Sequence, residues 1–169
     1  MSHTFLSIES TVLLVQEVAG TYRPANSAEV LSAAQRVLLG QVRNADVLTS
    51  PAVVRDFLRM RLGHLEYEMF AIVHMDAQNR VIEYVELFRG TVTQTSVYPR
   101  EVVKDALARN SAAVLLVHNH PSGTVQPSRA DEALTQTLKA ALALVDVRVL
   151  DHLVVASHDV LSFAERGLL

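Results

Sequence analysis

Two histidines and an aspartate lie close together in the segment HNHPSGTVQPSRAD, residues 118–131. The apolar run AVLLV before this segment predicts a buried strand, and the apolar spacing that follows Asp131 predicts a helix. Residues two apart in a strand project to the same side, so His118 and His120 should point to one place while Asn119 faces away. Ser128 takes the N-cap position of the helix and Asp131 takes N3. The segment therefore predicts that two imidazoles and one carboxylate converge.

Such a set of three ligands is typical of a catalytic zinc ion, and it leaves the fourth tetrahedral position open for water. We predict one zinc per chain, bound by His118, His120 and Asp131. The N-terminal end of a helix favours the ionised form of Asp131, which suits metal ligation. The alternative is a strand that ends in two histidines for packing reasons, with Ser128 and Asp131 acting only as a helix cap.

The spacing His-x-His, seven residues, Ser-x-x-Asp resembles the signature of the JAMM (JAB1/MPN) metalloprotease superfamily, which also has a distant upstream Glu. The segments HNHPSG, PSRAD, YPREVVKDAL, VLDHLVV and SFAERGLL resemble the bacterial RadC family of that superfamily. The resemblance covers about residues 50–169. It implies a three-layer α/β/α sandwich with a mixed sheet, similar to that of cytidine deaminases. RadC proteins of full length carry a helix-hairpin-helix region, which is not visible in this sequence.

Hydrolysis at such a site also needs a group that takes a proton from water and returns it to the leaving amine, and a carboxylate usually does this. The resemblance places this group at Glu68, at the start of the first core strand. Glu66 is the nearest alternative, and Glu83 and Glu86 on the next strand are less favoured. Ser128 could donate a hydrogen bond to a developing oxyanion, although its capping role competes for the same hydroxyl.

Further residues are expected to support the site. Asn119 and Ser122 could position the loop, whose turns are set by Pro121 and Gly123. His152, in the segment VLDHLVV, either packs in the core or hydrogen-bonds a zinc-ligating histidine. The other histidines are isolated in sequence and are expected to be structural or solvated: His3, His64, His74 and His158.

The remaining sequence predicts the elements that position this site. Residues 27–39 predict a helix that is capped by Ser27 and ends at Gly40, and a second helix should run from Ser50 to Gly63. EMFAIVHMD and VIEYVELF predict a hairpin around a polar turn. The later elements are a strand at 90–97, helices at 98–109 and 128–144, strands at 113–117 and 147–157, and a short C-terminal helix capped at Ser162. Strands that first form a meander and then alternate with helices favour a mixed sheet covered on both faces.

Composition limits the class of protein. The 169 residues, half of them apolar, suit one domain at residues 50–169 after an extension at residues 1–49. The absence of cysteine excludes disulfides and a thiolate zinc site and is compatible with a reducing compartment. No apolar run approaches the roughly 20 residues that span a bilayer, and no signal peptide is visible, so we expect a cytoplasmic protein. A net charge of -3 and a pI near 6.1 argue against general nucleic-acid binding.

The leading hypothesis is a zinc-dependent hydrolase that cleaves a peptide or isopeptide bond with a metal-activated water. The resemblance implies a peptide or small protein as substrate. Two alternatives stay open: a RadC-type protein that acts on or near nucleic acid in DNA repair or mobile elements, and a metal-binding scaffold without turnover. A peptide could add as a strand to the edge at residues 90–97, which Thr93→Pro would test. The helix at 27–39 could dock on the core or meet a second copy in a homo-oligomer.

Overall fold

The computed structural model describes residues 13–17, 20–44, 51–91 and 96–169. The chain divides into two compact units, residues 1–37 and 38–169. The predicted boundary between residues 49 and 50 and the predicted cap at Ser50 lie outside the described residues and stay predictions. None of the described helices combines the length and the apolar character needed to cross a membrane.

The first unit contains a small hairpin followed by the start of a helix. β1, Leu14–Gln16, pairs antiparallel with β2, Tyr22–Pro24. α1 spans Ser27–Asn44. The prediction that this helix ends at Gly40 is wrong, because Gly40 is not among the glycines with positive φ and the helix continues through it. A glycine inside a helix costs only about 1 kcal/mol relative to alanine, so it does not have to end one.

The cap of α1 is Asn26 rather than the predicted Ser27. The Asn26 Oδ1 accepts a hydrogen bond from the backbone N–H of Glu29 at 3.0 Å. In return, the Glu29 carboxylate accepts from the backbone N–H of Asn26 at 2.9 Å. Both residues can cap a helix, and the one whose side chain reaches the free N–H groups does so. Arg23 also pairs with Glu29 at 2.6 Å.

The second unit is built on a five-stranded sheet with the order β4-β3-β5-β6-β7. β5 and β6 are parallel, and the other neighbouring strands are antiparallel. The mixed α/β sheet predicted from the sequence is therefore confirmed. The strands are β3 Met69–Met75, β4 Val81–Arg89, β5 Ala113–Asn119, β6 Arg148–Val155 and β7 Val160–Ser162.

Three helices cover the two faces of this sheet, and the period of two along each strand decides which residues each helix contacts. They are α2 Pro51–Leu62, α3 Pro99–Ala108 and α4 Arg129–Ala143. Phe57 and Leu58 of α2 join the odd-numbered residues of β3 in one buried cluster. Val102 of α3 and Leu138 of α4 join the even-numbered residues of β3 and β5 in a second cluster. Because His118 is even-numbered, its side chain belongs to the face that α4 covers.

The hairpin, α3 and the strand–helix junction agree with the sequence-based prediction, whereas three features differ. The strand predicted at 90–97 is not present at Gly90, Thr91 or residues 96–98, and residues 92–95, including Thr93, lie outside the described residues. β6 is not the last strand, because β7 pairs antiparallel with it. The tail after Ser162 forms turns instead of a helix.

The capping interaction predicted for the tail is present, even though no helix follows it. The backbone N–H of Glu165 donates to the Ser162 Oγ at 3.1 Å. Gly167 has a φ of 67°, and the backbone N–H of Leu168 donates to the carbonyl of Phe163 at 2.9 Å. A left-handed residue with this bond ends a single turn, so the local cap pattern is not followed by regular helix.

Candidate metal centre

The three predicted metal ligands converge where β5 leads into α4. His118 lies near the end of β5, His120 follows that strand, and Asp131 lies in the first turn of α4. One donor atom of each lies within 4.8 Å of the other two, and this is the one such group among the residues that the structure describes. The two Nε2 atoms are 3.0 Å apart. A carboxylate oxygen of Asp131 lies 3.4 Å from the Nε2 of His118, and the other lies 3.6 Å from the Nε2 of His120.

These distances fit a tetrahedral metal ion. With metal–ligand bonds of about 2.0–2.2 Å, tetrahedral geometry separates the ligand atoms by roughly 3.3–3.6 Å. The separation of 3.0 Å between the two nitrogens and the separations of 3.4 and 3.6 Å from one Asp131 oxygen each lie close to that range, and one donor atom from each residue lies within 4.8 Å of the others. Imidazole nitrogen and carboxylate oxygen are also ligands that zinc accepts. The residues present can therefore hold a zinc ion.

Asp131 belongs to the site and to the helix cap at once. The Ser128 Oγ accepts from the backbone N–H of Asp131 at 3.2 Å. The Asp131 Oδ2 accepts from the backbone N–H and the hydroxyl of Ser128, both at 2.7 Å. This capping box was predicted from the sequence and is present. Because the Ser128 hydroxyl proton is directed to Asp131, the serine would have to release that oxygen before it could donate to a substrate.

Asp131 and His120 shift each other's pKa values towards the charged forms. Burial by itself raises the pKa of Asp131, but the neighbouring imidazoles of His118 and His120 and the hydroxyl of Ser128 outweigh it and hold the pKa far below its usual range. The neighbouring carboxylate of Asp131 raises the pKa of His120 against the opposing effect of burial, and the charge of Glu68 contributes to the increase. Asp131 is therefore ionised at any ordinary pH and is a permanent anionic donor.

A loop carbonyl orients the ring of His120. Its Nδ1 lies 2.8 Å from the carbonyl oxygen of Thr124. A carbonyl can only accept, so Nδ1 carries the proton and Nε2 keeps its lone pair when the ring is neutral. Gly123, with a φ of 81°, turns the loop back and donates its N–H to the carbonyl of His120 at 3.1 Å. The sequence does not reveal the contribution of Thr124, because every residue type carries a backbone carbonyl.

The loop residue Ser122 and the strand residue Asn119 were both expected to position this loop. Ser122 is exposed, and the structure describes no hydrogen bond of its side chain. Asn119 contacts another segment: its Oδ1 accepts from the N–H of Met69 at 2.8 Å, and its Nδ2 donates to the carbonyl of Tyr67 at 3.0 Å. Asn119 therefore binds the backbone on both sides of Glu68, and its effect on the loop stays a prediction.

Glu68 lies directly before β3 and is half-buried. Its N–H donates to the carbonyl of Thr91 and its carbonyl accepts from the N–H of Gly90, both at 2.8 Å. Together with the two bonds from Asn119, these bonds fix the backbone of Glu68 from both sides. Its charge acts on the imidazole of His120. Glu68 is thus near enough to His120 for its charge to act on that ring, although it lies 50 residues before His118 in sequence.

The alternative carboxylates lie in different surroundings. Glu66 is exposed, in the bend that precedes β3. Glu83 pairs with Arg109 at 2.8 Å. Glu86 pairs with Arg61 at 2.7 Å. These ion pairs hold the carboxylates of Glu83 and Glu86 against arginines outside the site. The contacts therefore favour Glu68 over both as the proton acceptor.

His152 hydrogen-bonds the candidate ligand His118. The Nε2 of His152 lies 2.8 Å from the Nδ1 of His118, and the Nδ1 of His152 lies 2.6 Å from the Oγ1 of Thr135. Its ring also packs against Phe163, with centroids 4.8 Å apart, so both alternatives given by the sequence apply. Complete burial lowers the pKa of His152 well below its ordinary value, which keeps the ring neutral. Thr135 was not predicted, because a lone threonine within a helix gives no sequence signal.

The remaining described histidines lie outside the site. His64 and His158 are exposed, and His3 lies outside the described residues. His74 is completely buried, with its Nδ1 2.9 Å from the Ser111 Oγ and its Nε2 2.8 Å from the Asp105 Oδ2. His74 is therefore structural, as expected, but it is not isolated: its partners come from a helix and a loop that the sequence could not place beside it.

The fold and the site together define a class of protein: a three-layer α/β/α domain whose mixed sheet carries two histidines and a carboxylate at the β5–α4 junction. The chain belongs to the family of RadC-like JAB domains, whose family model matches residues 48–168.

Relatives with this domain are similar over most of the chain. A UPF0758 protein of Leptothrix cholodnii is 60% identical over 149 residues, which cover 86% of this chain and 67% of that protein. A UPF0758 protein of Aromatoleum aromaticum is 60% identical over 151 residues, covering 89% and 67%. One of Methylibium petroleiphilum is 58% identical over 150 residues, covering 89% and 68%. The chain spans about two thirds of the length of these relatives, and their name states no activity.

Proposed function

We propose that this chain is a zinc-dependent hydrolase that cleaves a peptide or isopeptide bond, and that residues 50–169 carry the activity. The observation that carries the proposal is the convergence of His118, His120 and Asp131. The charge of Glu68, which acts on His120, supports it. Membership of the RadC-like JAB family supports a hydrolase, because the JAB superfamily includes hydrolases. The proposal goes further than the family in naming the metal and the bond.

Each residue has a role that follows from its surroundings. His118, His120 and Asp131 would hold the ion, which when bound polarises a carbonyl and lowers the pKa of water. Glu68 would accept a proton from the attacking water and return it to the leaving amine, because its fixed backbone keeps the carboxylate at one place. Ser128 would donate to the oxyanion only after its hydroxyl turns from Asp131.

An amide bond suits this site better than a phosphodiester bond. Enzymes that cleave phosphodiesters often hold two metal ions about 3.5–4 Å apart, which needs more carboxylates than one. The described residues provide one three-donor group. Two imidazoles, one carboxylate and a separate glutamate form the kind of set that zinc peptidases use. The net charge of -3 also gives a polyanion no general attraction.

Metal analysis tests the site directly. We expect about one zinc per chain in the wild type and none in His118→Ala/His120→Ala, because two of the three ligands are removed. The matched control is His64→Ala/His158→Ala, which removes two exposed histidines and should keep the metal. Zinc that persists in the first double variant would show that the metal is bound elsewhere.

Turnover tests the reaction. A mixed-sequence fluorogenic peptide library, a lysine isopeptide substrate and supercoiled plasmid DNA are compared with zinc-loaded protein. We expect cleavage of a peptide or isopeptide, and a fall of about 10²- to 10⁴-fold in Glu68→Gln with zinc content unchanged, since a general base contributes that much. Cleavage of DNA alone would support the nucleic-acid hypothesis. Zinc binding without cleavage of any substrate would support a scaffold.

A further inference from the structure

Thr135 is a buried polar residue that none of the roles above uses. It lies in α4, one turn after Asp131, and its side chain is completely inaccessible to solvent. Its hydroxyl donates to the backbone carbonyl of Asp131 at 2.6 Å and lies 2.6 Å from the Nδ1 of His152. A hydroxyl has one proton. Since that proton goes to the carbonyl, the Thr135 oxygen can only accept from His152.

The position of the Thr135 proton determines the proton positions on the next two side chains, His152 and His118. His152 must carry a proton on Nδ1 in order to donate to Thr135. The ring is completely buried and its two nitrogens contact Thr135 and His118 rather than a carboxylate, so it is neutral. Its Nε2 therefore has a lone pair and accepts from the Nδ1 of His118, 2.8 Å away. His118 then has its proton on Nδ1, which leaves the lone pair on Nε2. That Nε2 faces His120 and Asp131.

We propose that Thr135 is a positioning residue of the metal site, which acts through His152 to present the Nε2 of His118 as a metal donor. The inference rests on the proposed function for the metal, but the hydrogen-bond direction rests on the bond from the Thr135 hydroxyl to the Asp131 carbonyl and on a neutral, buried His152 ring. The chain begins at the carbonyl of one candidate ligand, Asp131, and ends at another, His118. This series of hydrogen bonds therefore connects the first turn of α4 to the end of β5.

The contact between Thr135 and His152 does more than satisfy two buried polar groups, because it also affects His118. If Thr135 served packing alone, valine would replace it well, because valine has nearly the same shape. Without the hydroxyl, the Nδ1–H of His152 is buried with no acceptor, or its proton moves to Nε2 and opposes the Nδ1–H of His118. Either result would rotate the ring of His118 or weaken the hydrogen bond that holds it. A hydrogen-bonding partner of this kind typically changes metal affinity by about 10- to 100-fold.

Zinc affinity of the full chain, measured by competition with a chromophoric chelator, tests this role. We expect Thr135→Val to bind zinc about 10- to 100-fold more weakly and Thr135→Ser to stay within about threefold of wild type, because serine keeps the hydroxyl. The matched control is Thr137→Val. Thr137 is exposed on the same helix, and its hydroxyl donates to the carbonyl of Ala133 at 2.8 Å, so only the contact with His152 is missing. Wild-type affinity in a folded Thr135→Val protein would overturn the proposal.

A second measurement on the wild type covers the case in which Thr135→Val does not fold. Long-range proton–nitrogen NMR spectra of the zinc-free protein at pH 8 report which ring nitrogen carries each proton. We expect the proton on Nδ1 in both His118 and His152. A proton on the Nε2 of His152 would overturn the proposal. A wild type that binds no zinc would instead refute the proposed function, and the same spectra would still decide the hydrogen-bond direction.

Discussion

Replacing Ser128 with alanine removes the side chain that caps α4. In the structure the Ser128 Oγ accepts from the N–H of Asp131 at 3.2 Å and donates to its Oδ2 at 2.7 Å. Alanine can make neither bond, although Asp131 still accepts from the backbone N–H of residue 128. Loss of a serine N-cap typically costs about 1 kcal/mol, within a range of about 0.5–2 kcal/mol. We expect Ser128→Ala to lower the free energy of unfolding by about 1 kcal/mol.

Urea unfolding in the presence of a chelator measures this effect, because bound zinc would add its own stabilisation. In thermal unfolding, a chain of this size should lose about 2–4 °C of Tm for each kcal/mol. Ser128→Asn keeps a side-chain acceptor and should lose only a few tenths of a kcal/mol. Ser122→Ala, in the same loop, should have no effect. A change below about 0.3 kcal/mol in Ser128→Ala, with the urea dependence unaltered, would refute the capping argument.

A glycine variant separates the two roles of Ser128. Ser128→Gly costs the helix only a few tenths of a kcal/mol but has no side-chain donor, whereas Ser128→Ala loses both the cap and the donor. If the hydroxyl stabilises an oxyanion, both variants should lose turnover of the peptide substrate by about 10²- to 10³-fold. If the serine only caps α4, Ser128→Gly should keep nearly all of its activity. Comparing the kcat of the zinc-loaded variants decides between these outcomes.

Three further predictions concern packing and charge. Gly63→Ala should destabilise the protein by about 1–3 kcal/mol in urea unfolding, because the added Cβ would lie 2.6 Å from the carbonyl oxygen of Arg59. The control is Gly40→Ala, whose Cβ would meet nothing within 4 Å and which should not destabilise the protein. The hydrogen bond from Arg23 lowers the pKa of Glu29 to about 2, so carboxyl NMR should show this value and Arg23→Gln should raise it. The stabilisation from this pair is present above the unfolded pKa of about 4.3 and is lost as the pH falls towards 2. Burial lowers the pKa of His74, so NMR should find the titration midpoint of its ring below pH 6.5. A midpoint at or above 6.5 would contradict this.

The sequence by itself determined the local geometry of the candidate site. Alternation along a strand predicted that His118 and His120 share one side, and the structure places their Nε2 atoms 3.0 Å apart. The spacing of Ser128 and Asp131 predicted the capping box, which is present. Both features depend on residues at most three apart, whose relative positions follow from the helix or strand itself. The β3–β4 hairpin could be predicted because its two strands follow one another in sequence around a polar turn.

Other local patterns had more than one outcome, and the tertiary structure selected among them. Ser27 was predicted as the cap of α1, whereas it is the neighbouring Asn26 that accepts from the N–H of Glu29. The cap of Ser162 formed without a helix, since Gly167 ends the turn. In such cases the free-energy difference between alternatives is small, so packing decides between them.

The supporting contacts of the site were decided only by the tertiary structure. Asn119 binds the backbone on both sides of Glu68, 50 residues or more away in sequence. Thr135 and His118 both contact His152, which β6 brings beside β5. Nothing in the local sequence of these residues encodes such partners, because the order of the strands and the position of α4 on the sheet determine which side chains meet. Sequence spacing thus predicted that His118, His120 and Asp131 converge, whereas the hydrogen bonds that orient these side chains depend on the packing of distant segments.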